Sequence, residues 1–347
     1  MHENIINKFA TNGRAISCEP YGNGHINTTY LVVCDTGSRY ILQKINKYVF
    51  KDPEQLMQNI VMVTKHLKQK SLGKQVMTVV PTTDGGMWYL DDDGEYWRIY
   101  DFVEKSICKE TVDSPEIFKE SGAAFGEFIS LLADFDAKSL ADTIPFFHDT
   151  PRRFQALHDA IKKDTAGRAR FVQREIDFAL AREGFAATLI NLQTSGDMPT
   201  RVTHNDPKLN NVLFHHKTLA ALCVIDLDTV MPGLAVNDFG DSIRFGATTA
   251  AEDEPNLDKV NFSLSLYHAY REGFTAACTA LTACETEHLP HGAKMMTLEC
   301  GVRFLTDYIN GDIYFKVHRD GHNVDRCRTQ FKLVADMESM WKEMTHS

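Results

Sequence analysis

No apolar run in this chain approaches the roughly 18–20 residues that a membrane-spanning helix needs, so a membrane protein is not expected. The N-terminal Met-His-Glu-Asn-Ile-Ile-Asn-Lys-Phe lacks the basic region and long apolar core of a secretory signal, and a cytoplasmic location is expected. Basic residues are outnumbered, 37 Lys and Arg against 47 Asp and Glu, and the net charge of −10 argues against a nucleic-acid-binding surface. None of the eight cysteines forms a close C-x-x-C pair, so neither a zinc site nor a dithiol redox motif is indicated, and buried thiols in a reducing compartment are expected. The string G-x-x-x-x-G-K-[ST] is absent, which excludes a P-loop as far as a motif can. There is no internal repeat and no low-complexity segment. What remains, 347 residues with 43% hydrophobic and 24% charged, is an ordinary globular chain of one or two domains.

The first hundred residues read as strands. Tyr30–Cys34 and Tyr40–Ile45 are β-branched or aromatic runs around an Asp-Thr-Gly-Ser turn, and Met77–Pro81, Met87–Leu90 and Tyr96–Val103 follow. One helix joins these five antiparallel strands: Pro53 suits a first turn, and Leu56, Ile60, Val63 and Leu67 share a face. From about Ser114 the period becomes helical. Helices are predicted at Phe118–Leu132, Phe154–Ala160, Ile176–Leu192, Val260–Thr279, Ala293–Tyr308 and Thr329–Met344, interrupted by a hairpin of Val212–Phe214 and Leu222–Ile225. The expected fold is α+β and two-lobed, in the manner of protein kinases. A small antiparallel β lobe for nucleotide (1–103) would precede a large helical lobe for catalysis and the second substrate (104–347), with the hinge at Tyr100–Glu104.

The stretch 202–228 carries the chemistry. Asp206 is followed five residues later by Asn211, and Asp226 closes the apolar run Ala221–Ile225. Phosphoryl transfer in a kinase-like fold needs a carboxylate for the acceptor hydroxyl, an Asn for one magnesium and an Asp at a strand end for the metals bridging the phosphates. An Asp before Pro is by itself a turn residue, but His204, Lys208 and Asn211 around Asp206 reproduce a catalytic loop. Such a base needs position more than a raised pKa. Lys208 either meets the transferring phosphate or is a solvated loop lysine. Asn211 and Asp226 are the metal ligands expected for Mg2+, which prefers oxygen and keeps several waters. Asp228 would share the Asp226 face in an extended segment, and would hold metal, contact substrate, or serve a turn or salt bridge. His204, Asp238 and Asp241 are expected to do structural work.

Gly22, Asn23 and Gly24, before the strand at Tyr30, form a glycine turn whose backbone N–H groups suit phosphates, and His25 at its tip would reach sugar or phosphate. The strand lysine is where the pattern departs. Gln43 holds the aligned position and Lys44 points to the opposite face, so which of them meets the phosphates stays open. Glu54 is either the partner of that residue or a solvated charge. Adenine would lie at Tyr100, Phe102 and Val103.

These motifs resemble the aminoglycoside phosphotransferase and choline kinase superfamily. Within it, six strings are similar to the N-acetylhexosamine 1-kinases: Gly-Asn-Gly-His-Ile-Asn, Tyr-Ile-Leu-Gln-Lys-Ile-Asn, Pro-Phe-Phe-His-Asp-Thr, His-Asn-Asp-Pro-Lys-Leu-Asn-Asn-Val-Leu-Phe, Ile-Asp-Leu-Asp-Thr-Val-Met-Pro-Gly, and the run from Gly301 to Phe315. The similarity spans about Tyr21 to Gln330. It implies transfer of the γ-phosphate of ATP, with Mg2+, to the anomeric hydroxyl of a small-molecule sugar, GlcNAc or GalNAc. The sugar would lie between Asp206 and the C-terminal helices, at Arg303, Asp307, Tyr308 and Tyr314, with Phe147, His148 and Arg326 as further positions. Arg303 and Asp307, four apart, would alternatively pair with each other. A same-fold kinase for an aminoglycoside, choline or another sugar, and a nucleotide-binding pseudokinase, are the rival readings. A monomer or weak dimer is expected.

Overall fold

A computed structural model describes residues 2–22, 26–71 and 74–346. The chain begins with helix α1 (Glu3–Ile6), strands β1 (Ala15–Pro20), β2 (Thr28–Cys34) and β3 (Arg39–Lys44), and helix α2 (Pro53–Lys70). Strands β4 (Val79–Val80), β5 (Tyr89–Leu90), β6 (Tyr96–Asp101) and β7 (Ser106–Cys108) follow. Helices α3 (Pro115–Leu131), α4 (Thr150–Lys163), α5 (Gln173–Leu180) and α6 (Thr188–Ser195) lead to β8 (Arg201–Thr203), β9 (Val212–His215), β10 (Ala221–Val224) and β11 (Met231–Gly233). Helices α7 (Ala235–Gly246), α8 (Leu264–Ala277), α9 (Ala283–Asn310), α10 (His322–Ser339) and α11 (Trp341–Thr345) complete the chain. The expected α+β class, antiparallel sheets plus a helical body, is what forms. No described helix is long and apolar enough to cross a membrane.

Two compact units interleave along the sequence. The first holds Met1–Cys108, Asp134–Pro145 and Val212–Pro232, and the second holds Lys109–Ala133, Phe146–Asn211 and Gly233–Ser347. In the first unit an antiparallel sheet runs β1-β2-β3-β6-β4, with β5 also on β6. A three-stranded sheet, β10-β9-β7, belongs to the same unit. Tyr40 and Leu42 alternate with Ile41 and Gln43 along β3, so Tyr40 and Leu42 share one face with Trp97 and Ile99 of β6 and bury it against Ile6 and Phe9. β1 was not expected: Ala-Ile-Ser-Cys-Glu-Pro is too polar to announce a strand, and its pairing with β2 forms it.

The second unit packs around Phe154, Leu157, Ile176, Leu298, Val302 and Phe331. The expected helix Ile176–Leu192 is two helices, α5 and α6, separated by a 3-10 turn at Glu183–Phe185 that contains Gly184. There Arg182 donates to the Phe178 carbonyl and pairs with Glu338, fixing the break. α9 is longer than its predicted core, starting in a capping box at Thr282 and Glu285 and running through Pro290. The predicted Thr329–Met344 helix starts earlier, at His322, and breaks at Met340. α7 was not expected as a helix, although Val236, Phe239 and Ile243 recur at helical spacing; all but one of its residues, polar ones included, are buried. Its Gly240 lies against Gly292 of α9, where a Cβ on either would strike the other helix's backbone. That close approach seats α7, and with it Asp238 and Asp241, inside the unit.

Candidate functional site

Two groups of polar residues stand out, one in each unit. In the second unit β8 delivers the chain into the loop from Thr203 to Asn211. Asn205 adopts φ 62, a left-handed conformation that Asn tolerates better than most residues. What holds it is Asp238 of α7, whose two carboxylate oxygens accept the backbone N–H groups of His204 at 2.7 Å and Asn205 at 2.8 Å. Burial pushes the Asp238 carboxyl up to about 7, against those two hydrogen bonds. His204 is fully buried, against Phe125 and Phe128, and its Nδ1 faces the Asp206 N–H at 3.3 Å. The structural role expected for His204 and Asp238 follows from these contacts. Ser242 donates to the Pro207 carbonyl and accepts from the Tyr270 hydroxyl, fastening the loop again one turn along α7.

Asp206, Lys208 and Asn211 come together on this loop. Lys208 Nζ lies 2.6 Å from Asp206 Oδ1. Asn211 donates its amide to the Asp206 carbonyl at 2.8 Å and approaches Oδ2 at 3.5 Å. That leaves the Asn211 amide oxygen as its remaining polar atom. Burial opposes the charge on Lys208, but Asp206 and Asp241 outweigh it and hold the ammonium above its usual range. Asp241 is paired with Arg244 at 2.6 Å and is held below the carboxylate range, the Arg244 and Lys208 charges overcoming burial.

One side chain connects the loop to α9. His148 contacts the Asn205 carbonyl through Nε2 and Glu299 through Nδ1, both at 3.3 Å, and Glu299 accepts from Thr150 at 2.6 Å. Burial alone would lower His148; Glu299 outweighs it and raises the imidazole, while the same pair depresses Glu299 despite its burial. Arg303 lies over the Phe147 and Phe315 rings, 5.8 and 5.4 Å from their centroids. Arg153 donates to the Phe146 and Phe147 carbonyls, and burial followed by the Arg303 charge lowers its guanidinium. Asp307 does not pair with Arg303 among the described residues. It accepts the backbone N–H groups of Ile313, Tyr314 and Phe315 at 2.8–3.0 Å and the Asn323 amide at 2.9 Å. Its carboxylate is spent on shaping that turn, which leaves Tyr314 71% exposed. Tyr308 is covered by the Arg168 guanidinium, and Arg326 lies over Phe304 and donates to the Lys316 carbonyl.

In the first unit the segment after β10 is not extended, contrary to expectation. Asp226 takes φ 59 and ψ 56, and Leu227–Thr229 form a 3-10 turn. The two aspartates therefore diverge: Asp226 is exposed and Asp228 is 3% exposed. A non-glycine residue held in this region costs on the order of 1–3 kcal/mol, and such strain gathers at functional sites. Asp228 meets Arg98 of β6, Nη1 to Oδ1 at 2.6 Å and Nη2 to Oδ2 at 2.9 Å, and accepts from Asn27 at 2.6 Å. Burial works against the Arg98 charge, and Asp228 more than offsets it and raises the group.

Register settles where the two strand candidates point. Gln43 is opposite Arg98, and its Oε1 accepts from Arg98 Nε and Nη2 at 3.0 and 2.8 Å. Lys44 is opposite Trp97, on the other face, within electrostatic reach of His2 and Asp91. Glu54 accepts from the Tyr96 hydroxyl. At the expected hinge, Tyr100 is buried beside Arg98, Phe102 stacks under Arg39 and the Val103 carbonyl accepts from Ser106. Gly22 has φ 76; Asn23, Gly24 and His25 lie outside the described residues. Arg98, Asn27, Arg153 and Glu299 were not singled out from the sequence. A buried arginine inside an apolar strand was the one available signal.

The antiparallel sheets and helical body are those of the kinase-like phosphotransferase fold. Residues 17–272 match the APH phosphotransferase enzyme family, and the chain belongs to it. Similar solved structures include a microcompartment-associated aminopropanol kinase, 16% identical over 99% of this chain and 98% of that one, with a TM-score of 0.63. An amicoumacin kinase in complex with AMP-PNP, Ca2+ and Ami is 13% identical over 98% and 96%, with a TM-score of 0.63. A choline kinase from Cryptosporidium parvum is 12% identical over 95% and 92%, with a TM-score of 0.58. At these identities the likeness is one of fold.

Proposed function

We propose that this protein transfers the γ-phosphate of ATP to the anomeric hydroxyl of an N-acetylhexosamine, GlcNAc or GalNAc. The observation that carries the reading is the Asp206 loop, in which a partly exposed carboxylate is fixed by Asn211 and Lys208 on a backbone clamped by Asp238. Asp206 orients the acceptor hydroxyl and takes its proton as the bond to phosphorus forms. Lys208 offsets charge on the transferring phosphate. An anomeric hydroxyl is more acidic than other sugar hydroxyls, so one positioned carboxylate suffices.

The acceptor side supports a neutral sugar over an amino alcohol or aminoglycoside. Those cations would need carboxylates free to receive them, but Glu299 is taken by His148 and Thr150, and Asp307 by its own turn. The groups offered instead are Arg303, the Phe147 and Phe315 rings and the exposed Tyr314, which suit hydroxyl and acetamido oxygens and an apolar sugar face. Arg303 lies within electrostatic reach of His148, which touches the loop, and of Glu299. The nucleotide is assigned to the first unit, with its phosphates toward Gly22 and the Gln43 face of the sheet and its adenine toward Tyr100, Phe102 and Val103.

The donor set fits magnesium. The Asp226 carboxylate is exposed, and the Asn211 oxygen is left over by its amide; both are hard oxygen ligands. A metal held by either of these oxygens would neutralise phosphate charge. Asp228, spent on Arg98 and Asn27, is assigned to holding the turn.

Incubation with ATP and Mg2+ against a panel of N-acetylhexosamines, other hexoses, choline, ethanolamine and aminoglycosides tests the reading. ADP release with GlcNAc or GalNAc well above the others is expected. Preference for an amino alcohol would replace the sugar assignment, and no acceptor-dependent ADP with any member would favour a protein that binds nucleotide without turnover.

A further inference from the structure

The puzzle left by the sequence is the neutral Gln43 at the strand position where a lysine is expected. Four observations in the first unit bear on it. Arg98 stands directly across the strand pair from Gln43 and is 1% exposed. It donates to Gln43 Oε1, Asp228 Oδ2 and Met57 Sδ, and its Nη1 makes a close ion pair with Asp228 Oδ1. The Gln43 amide nitrogen donates onward to Thr29 at 3.0 Å, which fixes the orientation in which its oxygen faces the arginine. Asp228 lies two residues after Asp226, inside the 3-10 turn whose first flanking residue is Asp226 in its left-handed conformation.

A second support reaches the same carboxylate. Asn27, at the end of the glycine segment, donates to Asp228 while its oxygen accepts the Asn46 N–H at 3.0 Å, and Asn46 donates to the Ile26 carbonyl. Asn59 of α2 donates to the Val230 carbonyl just past the turn at 3.0 Å. One buried carboxylate thus joins the base of the glycine segment, strand β6 and the turn that presents Asp226.

We propose that Arg98 is the positioning residue for Asp226, acting through Asp228, and that Gln43 is neutral because its task is to orient that arginine. A lysine at 43 would set a second cation against the guanidinium, whose charge is already matched by Asp228 in contact and by Asp226 at longer range. The strand position is therefore not vacant of function. The charge it would have carried sits one strand over, on β6, and is used to hold the metal-binding turn rather than to touch phosphate. The inference rests on the kinase reading above and adds to it how this chain keeps Asp226 in a strained conformation.

The test measures ADP affinity by calorimetry with and without Mg2+, in wild type and in Arg98→Lys, which keeps the charge and loses the two-pronged grip on Asp228. Arg98→Lys should weaken Mg2+-dependent ADP binding tenfold or more and leave metal-free ADP binding within twofold. Asn27→Ala should show the same selective loss, smaller in size. Should Arg98→Lys fail to fold, the double variant Arg98→Met with Asp228→Asn removes both charges together, which proteins often tolerate, and it should fold with the same selective loss. Equal weakening with and without metal, or none, overturns the positioning role while leaving the kinase reading intact. Wild type whose ADP affinity ignores Mg2+ would instead overturn the kinase reading and this proposal with it.

Discussion

Asp238 grips His204 by its backbone: the carboxylate takes the His204 N–H at 2.7 Å and, with its second oxygen, the next N–H along the chain. Asp238→Asn replaces one of those acceptors with an NH2 that faces an N–H donor. A buried unsatisfied pair costs roughly 1–3 kcal/mol, and the loop carrying Asp206 should loosen with it. The pH dependence has a definite sign. The folded-state carboxyl lies near 7, above its unfolded value, so between about pH 4 and 7 the folded protein binds a proton that the unfolded chain does not. The contribution of Asp238 to stability therefore grows as pH falls from 7 toward 4, and is absent at higher pH. Urea denaturation of both proteins from pH 8 to 5 should show the wild-type advantage over Asp238→Asn widening as pH falls. A gap that narrows on acidification would contradict the assignment.

Arg303 and Asp307 stand one turn apart on α9, and the two should fail differently. Arg303→Ala should raise the acceptor KM by tenfold or more, about 1.4 kcal/mol or above, with little change in Tm, because the side chain lies across rings rather than in an ion pair. Asp307→Ala frees three backbone N–H groups and the Asn323 amide, so the main expected effect is a lower Tm, from a loss of about 2–4 kcal/mol. Thermal denaturation alongside acceptor kinetics separates them; a lowered Tm in Arg303→Ala with an unchanged KM would reverse the assignment.

Glu299 outweighs the burial of His148 and raises its imidazole above the usual range. A raised histidine contributes stability below its unfolded pKa and loses it as pH rises through the folded value. Glu299→Gln should therefore let His148 shed its proton at lower pH. If the imidazolium steadies the Asn205 carbonyl beside Asp206, the alkaline limb of kcat/KM moves to lower pH in this variant. NMR titration of the His148 ring gives the readout independent of activity, and an unshifted titration would contradict the coupling.

The sequence carried a large part of this, and the remainder was hidden for physical reasons. Asp206, Lys208 and Asn211 were legible because one short loop holds all three, so their spacing alone brings them together. Asp226 and Asp228 were legible as residues and not as geometry, since the left-handed turn that separates them depends on Arg98, some 130 positions away along the chain. Arg98 itself lies in Tyr-Trp-Arg-Ile-Tyr, an apolar run where only strand register reveals that it faces Gln43. α7 carries Val236, Phe239 and Ile243 at helical spacing, but that spacing does not show that its polar residues are buried as well. His148 and Glu299, 151 positions apart, meet only once α9 packs in place.

The most direct test is phosphorus and proton NMR of the product made from ATP, Mg2+ and GlcNAc or GalNAc by wild type and by Asp206→Asn. Wild type should give a phosphate coupled to the sugar H1, the mark of a 1-phosphate. Asp206→Asn should still bind Mg-ADP and sugar by calorimetry while turnover falls by roughly 10²–10⁴. Phosphate on another hydroxyl, no sugar phosphate at all, or retained turnover in Asp206→Asn would contradict the account.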